Sequence, residues 1–244
     1  MRVDGKSSRF QERTRTDLPI QVHCRDYEGL EWDANGRIFE ITRFGAGFRL
    51  SRPVEPKRLV FLRFGMPRSL RVFDLSAEHY RVWAVIRFVR VLPPAEPGQI
   101  QLMFGSAFIG ASPPASYVRE PKTLYDLKPT LAQNGLWSPR EIPRRSGRYA
   151  RSDEPRYDIV VQAELEGLDE TGAFTWKEPV ETRNVSAGGA AILSPIAVVP
   201  GQFVLLHGTE KRESLLAIVR GCRQHERNRK YYLHLEFVTG KWPL

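Results

Sequence analysis

The apolar residues of this chain come in short runs that alternate with polar residues or are rich in β-branched and aromatic side chains, and the series of runs is written twice. The first series is LPIQVHC (18–24), GRIFEIT (36–42), AGFRLS (46–51), KRLVFLRF (57–64), YRVWAVIRFVRV (80–91) and IQLMFGSAF (100–108). Gly, Pro and Asn-Gly punctuate it. This spacing predicts short antiparallel strands and hence a sandwich or barrel. The second series is YDIVVQAEL (157–165), AFTWKEPVET (173–182), GGAAILS (188–194), QFVLLHG (202–208), SLLAIVRGCR (214–223) and KYYLHLEFV (230–238). Each copy opens on arginines and has an AGFRLSRPV-like segment (GAAILSPIAV in the second). Each then has a long strand with an apolar-Arg pair, Ile86-Arg87 or Val219-Arg220, and closes on Phe108 or Phe237. Self-similarity at a constant offset implies a tandem duplication. A copy of about 100 residues is large enough for its own core.

The expected domains are 1–110 and 143–244, joined by a Pro-rich linker at 111–142 with at most short helices. Within the linker Pro121 suits the first position of a helix and Gly135 the residue after one. Pro129 would break any helix between them.

Other classes are excluded one by one. Cys24 and Cys222 stand alone without a CxxC, which excludes a disulfide framework and a cysteine zinc site. The five histidines (His23, His79, His207, His225 and His234) lack metal-ligand spacing, so no metal is expected. His234, in the closing strand, reads as a packed or surface residue. No Walker A, GxGxxG or GxSxG segment occurs, and the chain is expected to be no enzyme and to carry no cofactor. MRVDGKSSRFQERTR has no apolar core for a signal peptide, and no apolar run reaches the ~18 residues of a span. No membrane insertion and a cytoplasmic location are expected. A net charge of +9 leaves anionic partners open.

The sharpest motif is in the second copy. Arg144-Arg145-Ser-Gly-Arg148 opens it, and Asn184-Val-Ser186-Ala-Gly-Gly189 follows. Guanidinium groups pair bidentately with phosphate and stack on purines. They also donate to guanine O6 and N7. Asn184 offers both donor and acceptor, Ser186 a small hydroxyl. Gly189 permits a positive φ or the close approach of a ligand.

These residues resemble the PilZ domain, whose signature is RxxxR before the first strand and [D/N]xSxxG in a later turn. Arg144xxxArg148 and Asn184xSer186xxGly189 match both halves in order and spacing, and the resemblance runs from about Arg144 to Val238. It implies six-stranded antiparallel β-barrels and a cyclic di-GMP receptor that passes its signal through an interdomain arrangement to a protein partner not identified by the sequence. The expected ligand contacts are Arg144, Arg145, Arg148, Asn184, Ser186 and Gly189. The first copy departs from the pattern. Arg9xxxArg13 is intact, but the second half reads Glu40-Ile-Thr42-Arg-Phe-Gly45, with Phe44 where the other copy has Gly188. Arg9, Arg13, Glu40, Thr42 and Gly45 therefore form a second candidate site in a degenerate copy. Two rival classes are a nucleotide-free PilZ-like interaction module of a motility, secretion or polysaccharide-synthesis complex, and a basic barrel that binds nucleic acid. The intact second-copy motif argues against the interaction module for that copy only; the nucleic-acid barrel instead implies strongly salt-dependent binding to any polyanion.

Overall fold

A computed structural model describes residues 13–26, 29–94, 97–143, 155–208, 214–225 and 229–242. It is all-β apart from single short turns of helix. The first six strands are β1 (Thr14–Arg25), β2 (Glu31–Thr42), β3 (Gly45–Leu50), β4 (Leu59–Phe64), β5 (Tyr80–Leu92) and β6 (Gln101–Gly110). They close into an antiparallel barrel in the order β1-β2-β3-β6-β5-β4. A five-residue helix, α1 (Ala115–Arg119), and a hairpin, β7 (Tyr125–Leu131) and β8 (Trp137–Glu141), follow. The last six are β9 (Gln162–Leu168), β10 (Phe174–Ser186), β11 (Gly189–Ser194), β12 (Phe203–Gly208), β13 (Ser214–Gln224) and β14 (Tyr231–Phe237). Their closed order, β10-β11-β14-β13-β12-β9, is the same path round a second barrel.

Alternation puts every second side chain inside. Ile20, Val22, Ile38, Leu62, Val82 and Phe104 fill the first barrel; Leu165, Val180, Ile192, Leu206, Val219 and Leu233 fill the second. Each such side chain contributes about 1.5–3 kcal/mol over its exposed form. Two expectations change. Asn35-Gly36 is not a turn but lies inside β2, where a Cβ at 36 would fall 2.3 Å from the Arg49 carbonyl oxygen. The linker helix ends at Arg119, before Pro121, and Gly135 sits in the β7–β8 turn with φ +74°. The prolines and the Asn134-Gly135 pair serve a hairpin instead.

The barrels are packed together. Leu205 and Leu216 face away from the core of their own barrel, since Val204, Leu206 and Ala217 fill it, yet they are 4% and 0% exposed. They join the apolar cluster of the first barrel, with Leu168 beside them. The β9–β10 turn also pairs with the strand entering β6. Ile100 N–H donates to Gly172 O at 2.9 Å, and Phe174 N–H to Gly98 O at 2.9 Å. Buried Glu55 accepts from Arg58 in its own barrel and from Arg220 Nη2 of the other at 2.8 Å. A buried carboxylate needs such partners, because its desolvation is otherwise uncompensated. Burial lowers the Arg58 pKa from its ordinary value, and the nearby Arg220 charge acts in the same direction.

Candidate functional site

Both barrels carry the same tight turn. Thr42 pairs with Gly45 between β2 and β3, and Ser186 with Gly189 between β10 and β11. The hydroxyl closes each turn: Thr42 Oγ1 donates to Gly45 O at 3.4 Å, and Ser186 Oγ to Gly189 O at 3.3 Å. The closing strand then fixes the turn. Phe108 N–H donates to Phe44 O and Phe237 N–H to Gly188 O, both at 2.8 Å. Phe44 and Gly188 thus do the same backbone work, and the phenyl ring of Phe44 is tolerated because its carbonyl is what matters. The motif glycine answers to packing. A Cβ at Gly189 would lie 2.4 Å from Leu235 O, and one at Gly45 2.2 Å from Ser106 O. Gly189 has no positive φ. Of the two alternatives read for this glycine, the positive φ does not occur; what needs the missing Cβ here is the close approach of the neighbouring strand.

Shortly before this turn each barrel has a β-bulge, at Ile38/Glu40 and at Thr182/Asn184. A bulge re-aims the next side chain. Glu40 and Asn184 accordingly occupy equivalent places. In register, Glu40 faces Gly47, Gly47 faces Gly105 and Gly105 faces Phe88. The matching row is Asn184, Ala191, His234 and Gly221. Leu233 and Leu235 are core, so His234 between them lies on the outer face with Asn184. The two rows exchange their ring: Phe88 lies on Gly105 in one barrel, while His234 stands opposite Gly221 in the other. Burial, then Arg223 and Arg156, lower the His234 pKa from its ordinary 6.5. His234 is therefore part of a basic outer surface that motif spacing alone missed; aligning the registers of the two copies finds it.

Arg144, Arg145 and Arg148 lie outside the described residues, as does Arg9 of the first copy. The chain downstream of the three arginines returns to the turn. Tyr157 and Val185 exchange both backbone hydrogen bonds at 2.9 Å, and Val185 stands between Asn184 and Ser186. Thr182 Oγ1 donates to Ile159 O at 2.7 Å and accepts from Val161 N–H at 2.8 Å, extending the contact. Upstream, Ile142 N–H donates to Leu124 O at 2.9 Å, next to the β7–β8 hairpin. Arg144 follows β8 by three residues.

The described first-copy residues converge on an open cavity of about 540 Å³. Arg13, Glu40, Thr42 and Gly45 line it, together with Arg87, Phe88, Ser106 and the hairpin residues Leu127, Lys128, Pro129 and Trp137. Arg13 Nη1 donates to Glu40 Oε1 at 2.6 Å. The residues beyond Gly45 were not foreseen, because they come from β5, β6 and the linker.

No family model and no curated protein matches the chain. Solved structures do. Bacillus subtilis inhibitor of motility (MotI/DgrA) is 14% identical, with 91% of this chain and 88% of that one covered at TM-score 0.30. Borreliella burgdorferi PlzA in complex with c-di-GMP is 10% identical, covering 96% and 89% at 0.28. Escherichia coli YcgR in complex with c-di-GMP is 8% identical, covering 91% and 76% at 0.28. At these values the overlap decides neither family nor ligand. Among the described residues no helix is long and apolar enough to cross a membrane.

Proposed function

We propose that the chain is a PilZ-type cyclic di-GMP receptor whose main site is on the second barrel. The observation that carries this is the Tyr157–Val185 pair, which brings the segment following the arginines onto the turn that holds Asn184 and Ser186. Arg148 stands nine residues before Tyr157, so at most about 30 Å of extended chain ties it to that turn. In this reading Arg144 and Arg148 grip phosphate and stack on guanine, with Arg145 beside them. Asn184 reads a guanine edge. Ser186 and Gly189 hold the turn in shape, and His234 forms the floor next to Asn184. The protein binds and signals; it needs no cofactor and no catalytic step.

The route outward runs through Arg220. It occupies the place that Arg87 holds at the first cavity, as the matched hydrogen bonds of Ile86 and Val219 indicate. Arg220 bonds Glu236, the register partner of Gly189, and reaches Glu55 of the other barrel. An anionic ligand beside Gly189 competes with Glu55 for this guanidinium. Occupancy thereby resets the packing of the barrels, and a cytoplasmic protein partner reads the change.

Equilibrium dialysis of labelled cyclic di-GMP at physiological salt tests the reading. Retention of the ligand under excess bulk DNA is expected. Displacement by DNA would contradict it and favour a general polyanion surface.

A further inference from the structure

The outer face of the first barrel across β1, β4 and β5 holds an open depression of about 380 Å³, lined by Gln21, His23, Asp33, Phe61, Arg63 and Arg81. None of these residues lines the motif cavity. Arg63 and Arg81 stand directly opposite each other on β4 and β5. Both are exposed, and neither has a hydrogen bond or ion pair among the described residues. Like charges placed opposite each other destabilise a sheet. The acid of the depression does not relieve them: Asp33 is on β2, two strands from Arg63, with its Oδ1 3.4 Å from His23 Nδ1. Two residues along the same strands Phe61 and Trp83 pair, half-buried, with ring centroids 5.3 Å apart. Tyr117 of α1 covers one side of Trp83 at 5.0 Å and ends the open face there. The second barrel shows this face covered. The matched hydrogen bonds of Ile86 and Val219 put Phe61 and Trp83 in the places of Leu205 and Leu216, which also pair in register. Those two leucines are buried in the apolar cluster of the first barrel. The same place in the repeat is thus an interface in one copy and an uncovered aromatic pair in the other. His207 and Ser214 hold the places of Arg63 and Arg81, so the arginine pair belongs to the uncovered face alone.

We propose that this face docks an acidic segment of a partner protein, with a carboxylate between Arg63 and Arg81 and an apolar side chain on Phe61 and Trp83. Guanidinium groups hold carboxylate through paired hydrogen bonds, and Arg and Trp are enriched among the residues that carry binding energy at protein interfaces. Residues i and i+2 of an extended segment lie on one side, roughly 7 Å apart, which is also the spacing of Arg63 and Phe61 along β4. The acid and the apolar residue are therefore two positions apart. The closed barrel has no free edge, so the segment binds through side chains rather than as an added strand. Continuous phosphates of a nucleic acid fit less well, because exposed Glu31 and Asp33 alternate along β2 beside the depression. The proposal goes beyond the receptor reading and does not rest on it, since docking here needs no nucleotide.

Fluorescence anisotropy on the full chain without cyclic di-GMP tests this, with a short labelled peptide carrying a Glu-Ser-Leu core. Saturable binding to the parent is expected. Binding should weaken roughly tenfold or more in the double variant Arg63→Gln/Arg81→Gln, as for a lost hydrogen bond to a charged group. A peptide with Lys in place of Glu should lose as much, and one with Ser in place of Leu should bind more weakly than the parent peptide. Absence of saturable binding, equal binding of the Lys peptide, or binding that the double variant leaves unchanged overturns the proposal. Tighter binding of oligo-dT, with displacement of the peptide, overturns it in favour of a polyanion surface. Self-association of the chain that the double variant abolishes overturns it in favour of a second copy as the occupant. Thermal unfolding separates docking from folding. The double variant relieves like-charge repulsion, so its midpoint should equal or exceed that of the parent. A lowered midpoint together with lost binding would mean that the arginines serve the fold, and overturns the assignment.

Discussion

Arg220 donates to two carboxylates at once, through Nη2 to Glu55 of the first barrel at 2.8 Å and through Nε to Glu236 of its own at 2.7 Å. One side chain thus spans from the strand beside the motif turn to a buried acid on the neighbouring barrel. Arg220→Met removes the tie while keeping most of the stem. Glu55 retains Arg58, so the expected loss is about 1–3 kcal/mol rather than that of an unpaired buried charge. Urea unfolding measures the loss. Limited proteolysis with and without cyclic di-GMP measures the coupling: the ligand-dependent pattern of the parent should become constant in the variant. An unchanged ligand dependence would remove Arg220 from the route.

Gly172 sets how closely the barrels meet. Its φ is +84°, and a Cβ there would fall 2.2 Å from Ser51 O of the other barrel. Gly172→Ala should cost roughly 1–3 kcal/mol for the backbone alone. It should also weaken the Ile100–Gly172 hydrogen bond, seen as faster exchange of the Ile100 amide. Protection equal to the parent would mean that the turn shifts without cost.

The two motif positions should separate in size. Gly189→Ala pushes a methyl against the Leu235 carbonyl, and overpacking of this sort costs roughly 1–3 kcal/mol. Ser186→Ala loses one hydrogen bond at 3.3 Å, worth about 1 kcal/mol. Thermal unfolding without ligand shows both. A larger loss for Ser186→Ala would contradict the structural role given to Gly189.

Much of this was legible in the residues. Alternation gave the barrel strands, and the repeated pattern located Glu40 and Asn184 at equivalent turns. The interface left a weaker trace. LLAIV (215–219) and VLL (204–206) are unbroken apolar runs, as expected when both faces of a strand are covered. The Glu55–Arg220 pair left none, since the partners are 165 residues apart and neither sits in a motif. The β7–β8 hairpin was hidden by Pro129 and Pro139. Both are tolerated because this two-stranded sheet leaves each strand an open edge. His234 was masked by ordinary strand alternation; only its register with Asn184 distinguishes it.

His234 makes the site sensitive to pH. Burial, with Arg223 and Arg156 next, holds its pKa below 6.5 in the free protein, so it is neutral at pH 7 and above. For folding alone, the neutral form is favoured: the contribution is present above the unfolded value near 6.5 and is lost as the pH falls through the lowered folded value. An anionic ligand offsets the two arginines and raises that value, so binding takes up a proton. Affinity for cyclic di-GMP should therefore strengthen from pH 8 towards pH 6, with a slope of at most about tenfold per pH unit, the limit for uptake of one proton. His234→Gln should flatten the profile. A slope that persists in the variant would assign it to another group.

The receptor claim is tested most directly by calorimetric titration of cyclic di-GMP into the full chain beside Arg148→Ala and Asn184→Ala. Saturable binding in the parent is expected, weakened in Arg148→Ala by about 2–5 kcal/mol if the guanidinium contact is desolvated, and reduced also in Asn184→Ala. No binding in the parent, confirmed by a second method, would contradict the account; so would binding that both substitutions leave unchanged.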